Sequence, residues 1–144
     1  MILARQLLLA LWAGLLVSIG ALVAPALFAI LANRVVAGGI AAELFRRTTF
    51  VSIAVALVLC LLARGAAART PILRRLAPLV PAALLALGEF AVKPMLEAAR
   101  VASGPAGRAF IAWHAVSGTL FAGATLLVIA LLVLELKPRR EPGS

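Results

Sequence analysis

Glu89 and His114 are the residues of this chain whose type and setting point to chemistry. Glu89 has Lys93 one turn further on, and an acid and a base spaced (i, i+4) are neighbours on a helix. One reading is a self-neutralising pair near a membrane surface. The other is a carboxylate that faces the interior and handles a proton or cation, since intramembrane acids are costly and often functional. His114 is the only histidine, with Ser117 and Gly118 at i+3 and i+4. It is expected to be neutral, because a helix N-terminus disfavours imidazolium, and to face inward with Ser117 as its hydrogen-bond partner. A haem or metal ligand is the competing reading, since one axial His holds a haem. A closed metal site needs more ligands, and there is no second His and no paired Cys.

Other candidates fall away. Cys60 is the only cysteine and reads as a small apolar filler. Ser18, Ser52, Ser103 and Ser117 share one histidine, so no nucleophile–base set emerges. Gly104-Pro105-Ala106-Gly107 is a turn, not a phosphate loop, because no strand leads into it. No catalytic residue and no cofactor is assigned.

The elements that carry these residues are apolar. The composition is 65% hydrophobic, against about 45–50% in a soluble domain, and the mean hydropathy is +1.15. Apolar runs at residues 6–31, 49–63, 76–92 and 110–136 alternate with charged connections. A bilayer core about 30 Å thick takes about 20 apolar residues per helix. The reading is an all-α integral membrane bundle of four transmembrane helices, one domain over residues 1–137, with a charged tail at 138–144 expected to be disordered. The first run is too long for the apolar part of a signal peptide and is read as a retained span. Ala10, Gly14 and Ser18 are expected to form a smooth row packing on Gly118 and Ala122. Pro25 should bend span one near its end. Residues 40–47 look like an amphipathic helix leading into span two, span three is expected to stop at Lys93-Pro94, and residues 95–109 to form a connection.

The net charge is +9, and the bases sit at span ends. Such placement reads as contact with anionic lipid headgroups. No aromatic-interleaved basic face offers a nucleic-acid surface. Four spans put both termini on one side. That side holds eight bases (Arg5, Arg64, Arg69, Arg74, Arg75, Lys137, Arg139, Arg140) against six opposite (Arg34, Arg46, Arg47, Lys93, Arg100, Arg108). The positive-inside rule then puts both termini in the cytoplasm.

Span one ends in Pro25 and Phe28, and Gly38 and Phe45 follow before span two. Pro94-Met95 closes span three, and Phe110, His114 and Ser117 open span four. In that order these residues resemble the transmembrane protein 205-like family, a four-span domain of unknown function. The resemblance implies the fold and a membrane location, and no established activity. That family commonly has Asn where this chain has Phe121, and Asn in span three near Gly88 and Glu89. A weaker likeness is to four-span copper-resistance membrane proteins, whose histidine chemistry a single His matches poorly.

The leading expectation is a non-enzymatic small protein of the bacterial inner membrane that acts by packing against a membrane-protein partner or a second copy. The alternatives are transport of a small solute, metal ion or proton using Glu89 and His114, and a haem- or metal-binding redox protein.

Overall fold

Two prolines decide where the first and third spans change their winding. In the computed structural model, which describes residues 2–64 and 72–137, all regular structure is helical. The tail at 138–144 and the stretch 65–71, with Arg69 and Pro71, lie outside the described residues. Span one runs α1 (Ile2–Val17), a π-helical segment (Ser18–Val23) and α2 (Ala24–Ile30). Span two is the single helix α3 (Arg34–Arg64), and a short α4 (Ile72–Leu76) follows. Span three runs α5 (Leu79–Leu87), a second π-helical segment (Gly88–Val92) and α6 (Lys93–Ser103). Span four is α7 (Arg108–Leu136). Each π segment sits just before a proline, Pro25 or Pro94. A proline has no N–H to give the carbonyl one turn back, and a wider π turn reseats the neighbouring bonds.

All four spans are long and apolar enough to cross a membrane, at 29, 30, 25 and 29 residues. At about 1.5 Å per residue even the shortest exceeds the hydrocarbon core. The spans pack in a ring: α1 lies on α3 and α7, and α5 lies on α3 and α7. Apolar residues at helical spacing fill the centre, namely Leu9, Trp12, Ala13 and Leu16 with Ala56, Leu59, Ala82, Leu85, Ala124 and Val128. Leu11, Leu57, Leu61 and Leu126 stand outward, as lipid allows.

The small-residue row is not the packing face. Ala10, Gly14, Ser18, Gly118 and Ala122 are all exposed, and a Cβ added at Gly14 or Gly118 would meet nothing within 4 Å. Spans one and four do pack together, but α1 turns its larger residues inward. Burying Leu9, Trp12 and Leu16 removes more area and makes more dispersion contacts than burying glycines. The close approach falls instead at Gly20, where a Cβ would lie 2.6 Å from the Phe121 ring.

Span three is also longer than expected. Pro94 stands in the first turn of α6, where the missing N–H is tolerated. The helix therefore continues to Ser103, and Gly104, with φ of 71°, ends it. Span two starts at Arg34, and Asn33 caps it by accepting from the Val35 and Val36 amides at 3.0 and 3.2 Å. The helix over residues 40–47 is part of it.

Candidate functional site

Glu89 lies in the second π segment and Lys93 is the first residue of α6, so their pair spans the bend in span three. Lys93 Nζ donates to Glu89 Oε1 at 2.6 Å. The glutamate side chain is 10% exposed and the lysine 32%. A carboxylate so enclosed needs a partner, and the lysine one turn on supplies it.

His114 is placed differently from the expectation. It is exposed, not inward-facing, and its ring stacks on Phe110 at 5.8 Å with 13° between planes. Ser117 is half-buried, and among the described residues no hydrogen bond joins it to His114. Along α7 the buried positions are Ala124 and Val128, and none of residues 108–117 is buried. No hydrogen bond or ion pair links Glu89 to His114 among the described residues.

The remaining candidates gather at the end of the bundle remote from the termini. Phe28 lies against Gly38, its Cζ 3.9 Å from where a Cβ would stand. Phe45 meets Phe121 edge to face at 4.8 Å, and Phe50 meets Phe90 at 6.0 Å. Pro25 and Pro94 are exposed on α2 and α6. At the same end Glu43 accepts from both Arg46 and Arg47, and Arg100 pairs with Glu97. These exposed pairs contribute little energy.

Three contacts escaped the sequence reading. Trp12 Nε1 donates to Ser52 Oγ at 2.8 Å, and Ser52 Oγ donates to the Thr48 carbonyl at 2.7 Å. Trp12 and Ser52 are 1% and 0% exposed, so this chain lies in the bundle's centre. At the terminal end, Arg5 Nε donates to Glu135 Oε1 at 2.6 Å and Arg5 Nη1 to the Leu59 carbonyl at 3.0 Å. Gln6 Nε2 reaches the Glu135 carbonyl at 3.1 Å. The third is the thiol of Cys60, which donates to the Arg75 carbonyl at 3.1 Å. The missed signal for Arg5 and Glu135 was their shared height at the two ends of antiparallel neighbours.

Among the described residues no group of three or more His, Cys, Asp or Glu is placed to hold a metal ion. Fold and side-chain placement together define a multi-pass membrane protein built on an apolar four-helix core. Residues 7–105 match the family described as a domain of unknown function, DUF4149, and the chain belongs to that family. No curated protein and no solved structure matches.

Proposed function

We propose that this chain is a non-enzymatic protein of the bacterial inner membrane that works through its outer faces, packing against a membrane-protein partner or a second copy of itself. The observation that carries this reading is the closed centre. Trp12, Leu9, Leu16, Leu59 and Val128 fill it, each at most 2% exposed, and Ser52 takes up the indole N–H. A centre of this kind holds the fold together and leaves recognition to the surface. The far-end residues Pro25, Phe28, Gly38, Phe45 and Pro94 fit the resemblance to transmembrane protein 205-like proteins. The eight-to-six excess of bases on the terminal side supports cytoplasmic termini, with Arg74, Arg75 and Lys137 meeting anionic headgroups.

One observation favours the transport reading: Glu89 is an enclosed carboxylate on a span. Its direct ion pair with Lys93 and the outward placement of His114 weigh against it. Purified protein in proteoliposomes decides between them. The surface-acting reading expects proton and monovalent-cation flux equal to that of protein-free vesicles. A flux that Glu89→Gln abolishes would make transport the function.

A further inference from the structure

The first and third spans are wound in the same way. In span one the residue before the proline, Ala24, donates its N–H to the Ile19 carbonyl, five residues back. In span three the residue before the proline, Lys93, donates to the Gly88 carbonyl, again five residues back. Sliding one span 69 positions along the sequence superimposes them: Ile19 on Gly88, Gly20 on Glu89, Ala24 on Lys93 and Pro25 on Pro94. Each of these spans then meets an uninterrupted α-helix across a short turn, α2 to α3 and α6 to α7. The two hairpins repeat one design.

Both have an aromatic contact with another span, since Phe90 of the second π segment meets Phe50 of α3; they differ in charge. In span one, Gly20 leaves room that the Phe121 ring fills, and Phe121 is itself held edge to face by Phe45. Beyond that bend, Phe28 rests on Gly38. The first π segment and the residue after it carry no charge. In span three the equivalent positions carry Glu89 and Lys93, whose 2.6 Å ion pair reaches from the π segment to the start of α6. Beyond it α6 packs on α7 through one face that includes the buried Ala99. Much of the rest faces outward, with Met95 at 52% and Val101 at 85% exposure, as α2 does with Ile30 at 79%. A π turn followed by proline already lacks part of the ladder of bonds that stiffens a helix.

We propose that the second bend is a charge-latched joint: the Glu89–Lys93 ion pair fixes the direction of α6, and losing either charge frees α6 to swing about the π segment while α2 stays fixed. The device is conformational. Arg46 of α3 also lies within electrostatic reach of Glu89, and anything that neutralises Glu89 or competes for Lys93 sets the orientation of the exposed α6 surface.

Distance measurement between paired nitroxides tests this on the full chain in lipid nanodiscs, in a Cys60→Ser background. One pair joins Val101 on α6 to Val51 on α3, and a reference pair joins Ile30 on α2 to Val51. All three positions are exposed. Wild type should give one narrow distribution for each pair. Glu89→Gln and Lys93→Gln should each shift or broaden the Val101 distribution beyond the wild-type width and leave the Ile30 distribution as it was. The reversed pair, Glu89→Lys with Lys93→Glu, should restore it. An unchanged Val101 distribution in both single variants would overturn the proposal. So would equal broadening at both pairs, which marks general loosening, or a reversed pair that fails to restore a protein whose Ile30 pair remains intact.

Discussion

Arg5 and Glu135 stand 130 residues apart in the chain and 2.6 Å apart in the bundle. Their pair brings the start of span one to the end of span four, so both spans reach the same side of the membrane. Arg5 also donates to the Leu59 carbonyl of α3, which ties three of the four spans together at one end. The two side chains keep only 16% and 23% of their exposure.

Removing one partner leaves the other charge enclosed at the edge of an apolar bundle. Glu135→Gln should therefore destabilise the protein by about 1–3 kcal/mol, a range lowered for the remaining contact with water. Exchanging the two, Arg5→Glu with Glu135→Arg, should recover part of the loss, because the Leu59 contact is not rebuilt. Thermal unfolding in detergent measures both.

The core hydrogen bond separates volume from polarity. Trp12→Ala empties the most enclosed large site and should lose about 3–5 kcal/mol. Trp12→Phe keeps most of the volume and gives up the indole N–H, so it should lose about 0.5–1.5 kcal/mol. Equal losses in the same unfolding assay would mean that the hydrogen bond, not the packing, holds the centre.

Glycines with and without neighbours should behave oppositely. Gly20→Ala forces the Phe121 ring away from Phe45 and should cost about 1–3 kcal/mol, with Phe121→Leu relieving it. Gly14→Ala and Gly118→Ala meet open space. They should be neutral or stabilising by up to about 1 kcal/mol, because alanine is the better helix former.

His114 gives a related contrast. An exposed ring stacked on Phe110 contributes little to packing, so His114→Ala should change stability by less than about 0.5 kcal/mol. A loss comparable with that of Trp12→Ala would show that the imidazole is enclosed after all.

The spans were legible because lipid-facing helices need apolar residues on every side, and that signal survives without periodicity. Which face turns inward was not legible for the same reason. Leu9 and Leu11 look alike in sequence, yet one is 2% and the other 72% exposed. The Glu89–Lys93 contact was readable because it is local, one turn along a single helix. Trp12–Ser52 and Phe45–Phe121 depend on the relative height and rotation of different spans, which no single stretch encodes. The extension of span three through Pro94 was hidden because a proline marks both helix stops and helix first turns.

The central claim is a closed centre, and the reactivity of one buried position tests it. Ser52 is fully buried, whereas the Arg47 side chain, on the same helix, is 75% exposed. In a Cys60→Ser background, Ser52→Cys and Arg47→Cys would be treated in intact membranes with a charged, membrane-impermeant thiol reagent from each side. The account predicts that the thiol at 47 reacts from one side and the thiol at 52 from neither until the protein is unfolded. Reaction at 52 in the native membrane, at a rate near that at 47, would reveal water in the bundle and contradict the closed core.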